Sequence, residues 1–208
     1  MKFILFVEGH TEHQAIAAFL KRWLDPRLNL PAGVQPVRFD GWSEMVRDMP
    51  KKAQIYLEAP KGDVIAVIAL LDIYGMQLLY PKEISSVEER FDWAKKHLQG
   101  EVNHSKFHQF FAVHETEAWL LSEPKLFPTE IAKILKGKAE KPETVNHDEP
   151  PAKLLEHLYI SKTGHGYKKV TEARNLFPIL DPDIAYEKCP YLKMLLDEML
   201  ALAKAAGL

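Results

Sequence analysis

Eight consecutive apolar residues, VIAVIALL at 64–71, limit what this chain can fold into more than any other stretch. A strand with one wet face alternates apolar and polar side chains; this run does not alternate and is rich in β-branched residues. Such a run belongs in the middle of a parallel sheet, covered by helices on both faces. It is far short of the roughly 20 apolar residues that span a bilayer. Asp72 ends it abruptly.

The flanking sequence supplies the rest of a parallel-sheet protein. Residues 2–7 (KFILFV) read as a second buried strand, 107–113 (FHQFFAV) as a third, and 34–39 (VQPVRF) as a weaker one that Pro36 places at an edge. Helical spacing marks 12–24, through Ile16, Phe19, Leu20, Trp23 and Leu24, and also 43–58 and 86–99. Gly9 permits a tight exit from the first strand, and Thr11 is a suitable helix N-cap. Strands alternating with helices predict an α/β fold with a mainly parallel sheet flanked by helices. After residue 125 the texture changes. Segment 138–152 is polar and proline-rich and reads as a loop; 152–159, 168–176 and 190–206 read as helices. The expected division is an α/β core over 1–125 and a helical C-terminal cap over 126–208, packed on the same domain.

The carboxylates fall in a pattern. Glu8 follows KFILFV, Asp72 follows VIAVIALL, and Glu115 lies just past FHQFFAV, with Glu117 two residues on. In a parallel sheet these strand ends share one edge, which is where open α/β folds bind ligands. Clustered carboxylates repel unless neutralised, and hard divalent cations such as Mg²⁺ or Mn²⁺ take oxygen ligands. The alternative is that the acids only mark the solvated rim of the sheet. Glu115 and Glu117 share a face if the segment is extended, but lie about 200° apart in a helix. Both are kept as candidates.

Charge narrows the partners. Lys and Arg total 27 and Asp and Glu 29, for a net charge of −2. Nucleic acid therefore has to be held by a local basic patch or by bound metal, not by overall charge. Ser161-Lys162-Thr163-Gly164-His165-Gly166 is a polar, glycine-containing loop whose Lys162 can face a phosphate; His165 is a candidate general acid or base. Lys168, Lys169 and Arg174 follow, as part of the same basic cluster or as a solvated helix face. The single cysteine, Cys189, excludes an internal disulfide and a cysteine-cluster zinc site. There is no G-x-x-x-x-G-K-[ST] phosphate loop and no G-x-G-x-x-G after a strand, so nucleotide hydrolysis by that loop and a dinucleotide fold are unsupported.

Val7-Glu8-Gly9-His10-Thr11-Glu12 resembles the V-E-G-x-T-E opening of Toprim-like proteins of the OLD and RloB kind. Leu71-Asp72-Ile73-Tyr74-Gly75 resembles their second acidic motif, and His114-Glu115-Thr116-Glu117-Ala118-Trp119-Leu120-Leu121 their third. Taken with Ser161–Gly166 and Cys189-Pro190, the combination is most similar to small bacterial proteins with domain of unknown function 4276. The resemblance implies a Toprim-like fold and Mg²⁺- or Mn²⁺-dependent cleavage or transfer of phosphodiesters. It makes Glu8 a metal ligand or general acid/base, Asp72 the first acid of a D-x-D pair, and Glu115 and Glu117 further metal ligands. Tyr74 replaces the second aspartate of that pair, which puts two-metal catalysis in doubt. The expected function is nucleic-acid cleavage in a defence or genome-maintenance system. The alternative is a non-catalytic binding or regulatory subunit. Family analogy adds an ABC-type ATPase as a partner. The N-terminal apolar run, Phe3 to Val7, is too short for a signal peptide, so a cytoplasmic protein without membrane contact is expected.

Overall fold

The computed structural model describes residues 1–9, 12–73, 80–145 and 149–208. Four strands, β1 (Lys2–Glu8), β2 (Gly33–Phe39), β3 (Val64–Asp72) and β4 (Phe107–Ala112), form one sheet in the order β2-β1-β3-β4. Every pairing is parallel. The apolar run is internal, with β3 between β1 and β4 and buried along its whole length. Pro36 lies on the edge strand β2, where its missing N–H costs least.

Side chains of the inner strands divide the core in two. Phe3, Leu5 and Val7 point to one face, with Ala66, Ile68 and Leu70 of β3. Ile4 and Phe6 point to the other, with Val67, Ala69 and Leu71. This period-two division is what an uninterrupted apolar strand requires: each alternate residue needs its own layer of helices. The second face is covered by α2 (Trp42–Leu57) and α3 (Val87–Val102), through Met45, Met49, Phe91 and Leu98. Helix α3 opens with a capping box, in which Ser86 Oγ accepts the Glu89 N–H and Glu89 Oε2 accepts the Ser86 N–H, each at 3.1 Å.

The first face carries α1 (Glu12–Leu24) and the C-terminal helices: α4 (Glu117–Leu121), α5 (Thr129–Leu135), α6 (Pro151–Thr163), α7 (Lys169–Leu176), α8 (Pro182–Lys188) and α9 (Pro190–Ala205). They share one buried cluster with the sheet, running from Phe3 to Leu208. Trp119 sits in it fully buried, stacked on Phe19 at 5.8 Å and edge-on to Phe177 at 6.4 Å. From α1, Arg22 donates to the carbonyls of Phe177, Pro178 and Leu180, joining the start of the chain to the turn after α7.

Three local expectations change. Residues 161–163 are the last turn of α6, which Gly164 ends at φ +73°, so the glycine-containing loop begins only there. Segment 138–152 contains a 3-10 turn, Pro142–Thr144, and the first two residues of α6, Pro151 and Ala152. The short helices α5 and α8 were not expected, being only two turns long. The Thr11 N-cap and the Tyr74 substitution lie outside the described residues. Among the described residues, no helix is long and apolar enough to cross a membrane.

Candidate acidic site at the strand ends

Parallel register brings the strand-end acids together. Val7 lies opposite Leu70 and Asp72 opposite Ala112, so Glu8, Asp72 and the segment after β4 leave the sheet at the same edge. Gly9 turns the chain out of β1 at φ +83°, a conformation that costs glycine nothing, and its N–H bonds the Phe39 carbonyl at 3.1 Å.

Three of the carboxylates are also held by backbone. The Asp72 N–H donates to Glu8 Oε1 at 3.2 Å. The Thr116 N–H donates to Asp72 Oδ1 at 3.2 Å. The Ala152 N–H, in the first turn of α6, donates to Glu115 Oε2 at 2.9 Å. Glu117 opens α4 and is only 1% exposed. Because the helix begins at Glu117, Glu115 is still in the preceding turn, and the two are not forced onto opposite helix faces. Both reach the same point.

That point is occupied by an ammonium. Lys169 Nζ, from the first residue of α7, lies 3.1 Å from Glu117 Oε2, 3.6 Å from Asp72 Oδ2 and 3.6 Å from Glu115 Oε1. Two oxygens that each lie within 3.6 Å of one nitrogen are at most twice that distance apart, so Asp72, Glu115 and Glu117 form one cluster. Glu8 adjoins it through its bond to Asp72 and feels the charges of Lys169 and Glu115.

The electrostatics follow from burial. Desolvation raises the pKa of Glu8, opposed by the N–H groups of Asp72 and Trp42 and by the Lys169 charge. Desolvation raises Glu117 as well, again with Lys169 opposing and Glu115 reinforcing. Among the described residues, Lys169 thus pairs with Asp72, Glu115 and Glu117 beside Glu8, and burial pushes Glu8 and Glu117 toward the protonated form.

Lys169 is the functional candidate that sequence spacing missed. Its sequence neighbourhood reads as a basic cluster or a solvated helix face, whereas its side chain is only 37% exposed and turns inward. The usable signal was the need of several strand-end acids for a cation. Lys162 and His165 are exposed, and neither is among the described contacts of the acidic cluster. His165 instead donates its backbone N–H to Thr163 Oγ1 at 3.3 Å.

Among the described residues, the donors that converge here are carboxylate oxygens, which suit Mg²⁺ or Mn²⁺. Among the described residues, no three His, Cys, Asp or Glu side chains stand in a metal shell, consistent with an ammonium at their centre. No curated protein and no solved structure matches the chain. A family model described as domain of unknown function (DUF4276) matches residues 7–200, which takes in the end of β1, the acidic cluster and the C-terminal helices into α9. With nearly its whole length matched, the chain belongs to the DUF4276 family.

Proposed function

We propose that this protein carries out metal-dependent phosphodiester chemistry, cleaving nucleic acid in a defence or genome-maintenance system. The observation that carries this reading is the convergence of Asp72, Glu115 and Glu117 on one cation at the carboxyl edge of a parallel sheet, with Glu8 beside them. The resemblance of the three acidic motifs to Toprim-like proteins supports it.

Asp72, Glu115 and Glu117 would hold the ion, with Glu8 as a further ligand or as acid/base. A bound Mg²⁺ or Mn²⁺ would offset the charge of a phosphate and make a water easier to deprotonate. The backbone N–H groups of Asp72, Thr116 and Ala152 fix the carboxylates before any ligand arrives. Glu8, its pKa raised by burial, holds a proton closer to neutral pH than an exposed glutamate does. That suits it to protonate the leaving oxygen. Lys169 supplies the positive charge that the net charge of −2 does not.

The ion pairs of Lys169 favour a second reading, since they offset part of the acidic charge without metal. In it the site belongs to a non-catalytic binding or regulatory subunit that works with an ATPase partner. Incubating the pure protein with Mg²⁺ or Mn²⁺ and plasmid, tRNA or single-stranded DNA decides between them. Cleavage that depends on metal and disappears in Glu8→Ala is expected. Binding without cleavage selects the second reading, and cleavage undiminished in Glu8→Ala removes the site from the reaction.

A further inference from the structure

Lys169 occupies the position that a divalent cation would need. Its nitrogen lies within 3.6 Å of one oxygen each from Asp72, Glu115 and Glu117. A divalent ion ligated by those oxygens and an ammonium between them would be two positive centres a few ångströms apart, in a partly desolvated site where charges act strongly. Both cannot stay. Asp72 and Glu115 are anchored by backbone hydrogen bonds, and Glu117 is enclosed; the lysine side chain is half-buried but the least enclosed member of the set. The lysine is therefore the group that moves.

A second observation bears on the same point. Tyr167, two residues before Lys169, is 7% exposed, and among the described residues its hydroxyl has no hydrogen-bond partner. Buried hydroxyls are normally satisfied, and an orphan invites an explanation. Burial, followed by the charge of nearby Glu117, keeps this phenol protonated, so it remains a donor. When the lysine leaves, Glu117 loses an ion-pair partner, while the Tyr167 hydroxyl, near enough to feel the Glu117 charge, has no acceptor among the described residues.

Building on the metal-dependent reading above, we propose that Lys169 is an internal counter-ion that exchanges with an incoming divalent cation. It moves from the carboxylates to the phosphate of the substrate while Tyr167 takes over as donor to Glu117. The substrate class is then an anionic phosphate ester, and the exchange links cation binding to substrate capture.

Two measurements test this. The first is Mn²⁺ affinity by calorimetry in wild type, Lys169→Met, Lys169→Arg and Tyr167→Phe. Removing the competing charge should tighten Mn²⁺ binding roughly tenfold in Lys169→Met. Lys169→Arg, which keeps the charge, should stay near wild type. Loss of one hydrogen bond should weaken binding roughly fivefold in Tyr167→Phe. The second needs no variant. Modification of Lys169 in the wild-type protein by an amine-selective reagent, read by mass spectrometry, should rise when Mn²⁺ is bound. Mn²⁺ binding with unchanged labelling of Lys169 overturns the exchange and leaves the metal reading standing, even if Lys169→Met fails to fold. Unchanged affinity in Tyr167→Phe overturns the role of Tyr167. Absence of Mn²⁺ binding in wild type and in a folded Lys169→Met removes the metal reading and the exchange together.

Discussion

Glu143 offers a quantitative test of how the C-terminal helices are held. It lies in the short turn Pro142–Thr144 and is 4% exposed. Its carboxylate accepts the Tyr191 N–H at 2.8 Å and the Leu192 N–H at 3.2 Å, both in the first turn of α9. Cys189, the residue before that helix, provides no side-chain cap, so Glu143, 48 residues before Tyr191 in sequence, does so. Desolvation nevertheless dominates and pushes the Glu143 pKa from 4.5 up to about 7. At about 1.36 kcal/mol per pH unit, the gap is worth roughly 3 kcal/mol between protonation states. The folded protein therefore binds the proton more tightly than the unfolded chain. The associated stability is fully present below pH 4.5 and is lost as pH rises through about 7. Glu143→Gln keeps an acceptor for the helix amides but cannot ionise. Urea unfolding of both proteins from pH 4.5 to 8 should show the difference, wild type minus variant, falling by about 3 kcal/mol across that window. A constant difference, or one that grows with pH, would show that the carboxylate is stabilised as an anion and refute the reasoning.

Other substitutions probe separate parts of the structure. Trp119→Ala, which empties the contacts with Phe19 and Phe177, should cost about 3–5 kcal/mol in urea unfolding, while a loss below about 1 kcal/mol would contradict its place in the core. Ser86→Ala should cost about 1 kcal/mol, through loss of the α3 capping box. Asp72→Asn keeps an acceptor for the Thr116 N–H and relieves repulsion among the acids, so the metal-free fold should be as stable as wild type or more so. The same variant should lose the thermal stabilisation by Mn²⁺, about 2.7 kcal/mol in wild type at a hundredfold excess over Kd. Unfolding of metal-free Asp72→Asn would instead make Asp72 a structural hydrogen-bonding residue.

The sheet was legible because burial on two faces leaves a one-dimensional trace. VIAVIALL needed no partner information to be read as internal, and Pro36 marked its strand as an edge. The acids were legible for the same reason, since a buried strand shows where it ends. The C-terminal half was less so. Glu143 lies in a polar, proline-rich stretch that reads as a loop, and only its bonds to Tyr191 and Leu192 make it a buried cap. Helices of seven residues, such as α5 and α8, are too short to display a period. The choice between Glu115 and Glu117 could not be made by spacing, because it depends on the helix starting at Glu117. Lys169 was hidden because helix-face logic sends lysines to solvent, whereas here a long-range cluster of acids draws one inward.

A crystal of the protein soaked in Mn²⁺ and measured for anomalous scattering tests the central claim most directly. The account predicts a manganese peak bounded by carboxylate oxygens of Asp72, Glu115 and Glu117, at roughly the 2.0–2.6 Å typical of hard cations and oxygen ligands. It also predicts that the Lys169 nitrogen will have left the position it holds 3.1 Å from Glu117. No peak at saturating Mn²⁺, with Lys169 still paired to the three acids, would make the cluster a structural ion-pair network and contradict the account.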